Sequence, residues 1–439
     1  TGGDVSGVYP LADGSFFVAS DTQGRLKNYL IYPMYIEKAE GSQIGKTDIR
    51  IATSINDDFL QFAVSRFNKN NEKYNIIVEN YQKDGRDACE ARLNGELAAG
   101  VGPDLINLMI CDIEEMVENG YLEDMSLYLE SSEKINEEDF FHTALETYHG
   151  ILTAISQHFN LDVLVANSDF VGESRGWTLE EMVTFMEQNV GNQVFADPPT
   201  RDYFFMRMFY FCESEFVDRS AGTCDFDNEL FRRLVDLAEE YPVSRTMEEY
   251  NAMPSVYADL NSGNGLLGWA PLNEFQDLQV YDAALGGKMT CIGYPDKERS
   301  GVRAYYYDAL AISSNSPNKD VAWEFLEYYL TLTGAESMMQ FPTYRPSLNF
   351  LIERAMIKED TYWHNYYDVD EFRYMKHAST QEEIDEVMEL LEAARPAENT
   401  GWGITGIIMD ELEGYYAGKI TLDAAIESIE KEVLLYLAE

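Results

Sequence analysis

The stretch Asp48–Ser54, DIRIATS, reads as a short strand and passes through Ile55, Asn56 and Asp57 into a segment where Phe59, Phe62, Ala63, Arg66 and Phe67 recur at helical spacing. Tyr74–Tyr81 follows as a second strand, with Ile76 and Val78 on one face and Ile77 on the other. From about Asp84 to Ala99 the period lengthens again, and Cys89, Leu93 and Leu97 stand four apart on one helical stripe. The turn Gly100–Pro103 leads into DLINLM, a third strand, after which Asp112 and Glu115 match a capping box for a short helix ending near Gly120. Strands separated by helices in this order predict a parallel sheet, because parallel neighbours require long crossovers. Ligands of such sheets gather beyond the carboxyl ends of the strands. That rule places Ser54–Asp57, Tyr81–Asp84 and Met109–Asp112 on one rim, with Pro103 and Asp104 at the opposite end.

The pattern extends outward in both directions. Upstream, GVYPLADGSFFVASD carries two short apolar runs around Asp13-Gly14, a pair suited to a hairpin, and KNYLIYPMYI suggests a third strand. Residues 1–48 therefore read as a small β-rich N-terminal extension. Downstream, a second block starts near His158 with QHFNLDVLVANSDF, a strand bearing Val163 and Val165, and Thr178 with Glu181 caps the helix after Trp177. Gly263–Trp269 and Lys288–Gly293 read as short strands, and Arg303–Ser313 as one longer strand containing Tyr305-Tyr306-Tyr307. Ser316–Asp320 opens a helix with Val321, Phe325 and Tyr329, and the last helix begins at Thr421 with Leu422, Ile426, Ile429, Val433 and Leu437 on its apolar stripe.

A chain of 439 residues exceeds what one core usually serves. Its 78 acidic against 32 basic residues give a formal charge of -46, which repels nucleic-acid phosphates and anionic lipid. The same field disfavours a strongly anionic ligand unless a local basic pocket overrides it. Five cysteines, an odd number, form neither C-x-x-C nor metal-site spacing; Cys212 and Cys224 are near enough in sequence for a bridge that geometry must decide. The five histidines form no H-E-x-x-H pattern. With so many carboxylates, chance proximity of two is no argument for glycoside hydrolysis, which needs a pair held across a sugar with separated proton affinities.

Four stretches resemble the extracellular family 1 solute-binding proteins of bacterial ABC importers, a group that includes maltose- and oligosaccharide-binding proteins. They are Leu93–Leu108 (LNGELAAGVGPDLINL), Trp177–Met182 (WTLEEM), Ala309–Thr331 (ALAISSNSPNKDVAWEFLEYYLT) and Ile407–Leu437 (IIMDELEGYYAGKITLDAAIESIEKEVLLYL). The resemblance covers roughly residues 49–439, and the first 45 residues depart from it. It implies a two-lobed α/β fold of the periplasmic-binding-protein type II class, with lobe one at 49–158 plus 304–342 and lobe two at 159–303 plus 343–439. It also implies capture of a carbohydrate by lobe closure, without catalysis, cofactor or metal, and delivery to the membrane permease of an ABC importer. A monomer outside the cytoplasm is expected, tethered to the outer face of the membrane by an N-terminal lipid anchor. The alternatives are a glycoside-processing enzyme, a sensory receptor, or a receptor for peptide or polyamine on the same fold.

A sugar offers flat C–H faces and hydroxyl edges, so its site needs aromatic plates with amides, carboxylates and cations around them. Trp269, ending the strand LLGW, and Trp402, between Gly401 and Gly403, are the candidate plates, each weighed against a packing role. Trp363 is a candidate cover for the cleft, and Tyr344 with Arg345 lie in the expected hinge. Asn56 and Asp57 follow the first strand, Gln82 and Asp84 the second, and His158 and Asn160 lie at the first lobe crossing. Asp57 doubles as a helix cap candidate. Asp104 reads as the organiser of its Pro-Asp turn, and Trp177 and Trp323 as structural.

Overall fold

The computed structural model describes residues 4–10, 16–21, 45–54, 57–82, 86–110, 113–141, 145–148, 150–306, 309–332, 340–357, 366–369, 372–397 and 403–438. The chain divides into two compact units, Thr1–Gln157 with Tyr307–Met338, and His158–Tyr306 with Met339–Glu439.

In the first unit a six-stranded sheet runs in the order Tyr74–Asn80, Thr47–Thr53, Leu105–Asn107, Leu310–Ile312, Ile151–Ile155 and Leu145–Tyr148. The first three are parallel, with Ile51 opposite Val78 on one side and Leu105 on the other. Leu310–Ile312 then runs antiparallel to Leu105–Asn107, so the sheet is mixed. Buried Ala52, Leu93, Leu97, Ile106 and Met116 form the core beneath the helix Arg86–Ala98. Asp57 caps the helix Asp58–Asn70 by accepting from the Phe59 and Leu60 amides at 2.8 and 3.1 Å. Upstream, Asp4–Pro10 and Phe16–Asp21 pair antiparallel as a hairpin; the KNYLIYPMYI segment lies outside the described residues.

Asp104 fastens the sheet to the chain that returns from the second unit. Its carboxylate, 6% exposed, accepts from the Arg50 amide at 2.9 Å, the Ser316 hydroxyl at 2.6 Å and the Asn318 amide group at 3.1 Å. The Pro-Asp turn and the Ser-Pro-Asn helix start are therefore two halves of one hydrogen-bonded unit. From there the helix Lys319–Thr331 buries Val321, Trp323, Phe325 and Tyr329.

The second unit is built on the long strand His158–Asn167. Gly265–Leu272 pairs antiparallel with it, and Gln193–Phe195 extends the sheet in parallel. Met289–Thr290, Arg303–Tyr306 and Phe341–Pro342 also pair with the long strand. The expected single strand Arg303–Ser313 is thus two strands, because Arg303–Tyr306 pairs in the second unit and Leu310–Ile312 in the first. Residues 158, 304–306 and 339–342, assigned by sequence to lobe one, fall in the second unit, where His158, Arg303–Tyr306 and Phe341–Pro342 share one sheet. Thr178 and Glu181 close a reciprocal capping box at the start of Leu179–Gln188. Trp177 donates its indole N–H to the Gly293 carbonyl at 2.9 Å.

The second core is aromatic. Phe204, Phe205, Phe209, Phe226 and Phe231 are sealed between helices and sheet, and Ile404, Ile408, Ile426, Ile429 and Val433 of the last two helices join them. Cys212 and Cys224 contact different carbonyls, those of Pro295 and Glu430, so the bridge considered from sequence is not formed. Cys89 and Cys291 are buried and free, and burial pushes the Cys291 thiol up to about 12. Among the described residues no helix is long and apolar enough to cross a membrane.

Candidate ligand-binding site

The long strand of the second unit changes character along one face. Its sequence His158-Phe159-Asn160-Leu161-Asp162 alternates, and so does burial: His158, Asn160 and Asp162 are half-buried while Phe159 and Leu161 are sealed. Successive side chains of a strand point to opposite faces, so the three polar groups share one. The antiparallel register adds Arg303 opposite Asp162 and Tyr305 opposite Asn160 on that face. Further along it, Leu164 faces Trp269 and the apolar core begins.

The helix Arg201–Met208 and the residues after it bring Arg207 and Tyr210 to the same place. The Arg303 guanidinium lies 4.2 Å from the centre of the Tyr210 ring and 4.5 Å from that of Tyr305, and it donates to the Tyr210 hydroxyl at 3.2 Å. It stands 3.9 Å from the Asp162 carboxylate, with the two side chains 14% and 19% exposed. Asp162 also accepts from the Tyr294 hydroxyl at 2.7 Å. Burial raises the Tyr210 pKa above that of a free phenol, opposed by the nearby Arg303 charge, so this hydroxyl is a neutral donor and acceptor.

Two buried polar atoms here have no hydrogen-bond partner among the described residues: the Asn160 Oδ1 acceptor and the Arg303 Nε donor. An unpaired buried polar atom costs on the order of 1–3 kcal/mol. One orphan acceptor and one orphan donor on a single sheet face suit a group that both donates and accepts, which is the chemistry of a hydroxyl.

Trp269 is 4% exposed. Its ring stacks on Phe195 at 4.6 Å, lies 5.6 Å from Tyr294, and carries the Arg207 guanidinium at 4.0 Å, while its N–H donates to the Asp197 carbonyl at 3.1 Å. The sequence left an aromatic plate and a core ring equally open at this position; the structure gives Trp269 the surroundings of a core ring, with its neighbours already in place. Trp402, Trp363, Asn56 and Asp84 lie outside the described residues. Asp57 acts as the helix cap and also accepts from the Tyr329 hydroxyl at 3.3 Å. Gln82 is exposed at its strand end. Tyr344 precedes the helix Arg345–Met356, and Arg345 makes a two-pronged ion pair with Glu392 that holds the Glu392 carboxyl below its ordinary range.

His158 and Asn160 are therefore the sequence candidates brought into one constellation, whereas Asp162, Arg207, Tyr210, Arg303 and Tyr305 were missed. The Tyr305-Tyr306-Tyr307 run and the polar alternation of HFNLD were the signals available; nothing local marks Arg207 and Tyr210. Among the described residues no group of three or more His, Cys, Asp or Glu could hold a metal ion.

Solved structures share the fold. An extracellular solute-binding protein family 1 member from Alicyclobacillus acidocaldarius is 12% identical, with 90% of this chain and 99% of that chain covered and a TM-score of 0.55. The sugar-binding protein MalE from Xanthomonas citri is 15% identical, with 89% and 98% covered and a TM-score of 0.57. The GacH receptor of Streptomyces glaucescens, solved unliganded and with acarbose, is 13% identical, with 90% and 99% covered and a TM-score of 0.51. No curated protein matches the chain significantly by sequence. The fold is thus the two-lobed α/β architecture of periplasmic binding proteins. Residues 63–362 match the family described as bacterial extracellular solute-binding protein, more than half of the chain, and the protein belongs to that family.

Proposed function

We propose that this solute-binding protein is the carbohydrate receptor of an ABC-type importer. The observation that carries the reading is the polar end of the sheet face, where Asn160 Oδ1 and Arg303 Nε are buried without partners among the described residues, beside Asp162, Tyr210 and Tyr305. A sugar hydroxyl donates to the first and accepts from the second, and the phenol rings offer flat surface to its C–H faces. The sugar-binding and acarbose-binding proteins of the same fold support the choice of ligand class. Capture is a shift of population towards the form of the protein with the higher affinity for the ligand. The permease of the importer and the outer face of the membrane, with an N-terminal lipid anchor, complete the proposal.

The test is a binding screen over oligosaccharides, peptides and polyamines, read by intrinsic tryptophan fluorescence and thermal shift. Saturable stabilisation by one saccharide class is expected, weakened by Asn160→Ala and by Arg303→Met. Stabilisation by peptides or polyamines alone would overturn the carbohydrate reading. Steady bond cleavage in a bound saccharide would overturn the receptor reading.

A further inference from the structure

Arg207 is an unusual cation for this chain. With 78 acidic residues against 32 basic ones, a guanidinium has many carboxylates to choose from, and most described arginines take one. Arg50 pairs with Glu79, Arg233 with Glu187, Arg299 with Glu181 and Arg395 with Asp296. Arg207 is half-buried, its guanidinium carbon lies 4.0 Å from the centre of the Trp269 ring, and its side chain makes neither an ion pair nor a hydrogen bond with any described residue. Its N–H donors are uncommitted.

The carboxylate of this cluster, Asp162, is already engaged. Asp162 accepts from Tyr294 at 2.7 Å and faces Arg303 at 3.9 Å, and the neighbouring Arg395 is matched by Asp296 at 2.6 Å. Counting Arg207, Arg303 and Asp162 leaves one positive charge in excess at the site. The rest of the molecule is strongly negative, but physiological salt screens exposed charges beyond about 8 Å, whereas a contact inside a half-buried site is screened much less. The local cation therefore outweighs the distant background for a ligand in contact with it.

We propose that the saccharide is acidic, a uronic-acid-bearing oligosaccharide whose carboxylate pairs with Arg207. This rests on the carbohydrate reading above and narrows it. The planar guanidinium fork matches a carboxylate in a two-bond geometry, and its seat on the Trp269 indole limits the orientations it must lose on binding. Trp269 thus acts on the ligand through Arg207 instead of by stacking on a sugar ring. The orphan pair at Asn160 and Arg303 takes hydroxyls, and Arg207 takes the charge.

The experiment measures affinity by calorimetry for trimers of galacturonate, glucuronate and mannuronate, each beside its carboxyl-reduced neutral counterpart, at low and high salt. For at least one pair the acidic member should bind about 10–100-fold more tightly, the range of a charge-assisted hydrogen-bonded pair. That preference should shrink as salt rises. Arg207→Gln should collapse the acidic-to-neutral ratio towards one, and Arg207→Lys should retain part of it, because the charge stays and the fork is lost. Neutral members binding as well as or better than acidic ones in the unaltered protein would overturn this inference and leave the carbohydrate reading standing. Binding of no member of any pair, with peptides or polyamines binding instead, would overturn both.

Discussion

The Tyr294 hydroxyl donates a 2.7 Å hydrogen bond to the Asp162 carboxylate, joining a fully buried ring of the aromatic core to the acid at the start of the polar sheet face. Burial, with the Asp162 charge behind it, raises the Tyr294 pKa well above that of a free phenol, so the donor keeps its proton wherever the protein is folded. Tyr294→Phe preserves the ring and removes the bond. It should cost about 1.5–3 kcal/mol, as for a hydrogen bond to a charged group, measured by urea denaturation. A loss below about 0.5 kcal/mol would mean that water or Arg303 satisfies the carboxylate equally well.

Trp269→Ala should lower stability by about 3–5 kcal/mol, because it opens a cavity between Phe195 and Tyr294 and removes the surface under Arg207. Trp269→Phe should cost less and keep a face for the guanidinium. If Trp269→Ala abolished ligand binding while leaving the unfolding midpoint unchanged, the ring would be a binding plate after all.

Asp104→Ala strands three donors, the Arg50 amide, the Ser316 hydroxyl and the Asn318 amide group. The expected loss is about 2–4 kcal/mol, summing charged hydrogen bonds without full additivity. Hydrogen exchange should show opening around both residues 104–107 and 313–318, since one carboxylate serves both segments. Protection lost at only one of them would contradict that linkage.

The first unit contains a closed ion-pair network that predicts an acid dependence. Arg50 contacts Glu79 at 2.9 Å and Glu96 at 2.9 Å, Arg92 bridges the same two acids at 3.0 and 2.7 Å, and Tyr81 donates to Glu96 at 2.7 Å. The Arg50 hydrogen bond holds Glu79 below the ordinary value of 4.5; for Glu96, burial opposes ionisation, but hydrogen bonds from Tyr81, Arg92 and Arg50 prevail and lower it too. Depressed folded values mean that this stabilisation is complete above about pH 5 and disappears as pH falls through the folded pKa values. Arg50→Met should therefore lower the urea midpoint at pH 7, and its deficit against the unaltered protein should narrow from pH 4 downwards. A deficit independent of pH would assign the loss to packing of the arginine stem.

Much of the architecture was readable because it rests on local periodicity. The alternation of DIRIATS and the helical stripe of Cys89, Leu93 and Leu97 both correspond to elements of the first unit. The Thr178–Glu181 capping box needs only neighbours three residues apart, and it formed as read. Arg303–Ser313 misled for the opposite reason. Its strand character is local, but which sheet each half joins depends on partners more than a hundred residues away, Asn160 for Tyr305 and Ile106 for Ala311. Trp269 was ambiguous on the same ground: a tryptophan ending an apolar strand reads alike whether its faces are open or covered by Phe195 and Arg207.

The sequence by itself determined the strand–helix order and the helix caps, which are written in short spacings, and the excess of acidic residues, which is composition; the solute-binding family was legible only as a resemblance carried by four stretches. Only the tertiary structure decided that Asp162, Arg303, Tyr210 and Arg207 meet, and that Asp162 is satisfied while Arg207 is not. Pairing between a strand, a distant returning strand and a helix sets that outcome. A charge acquires its chemical meaning from the neighbours that folding supplies or withholds.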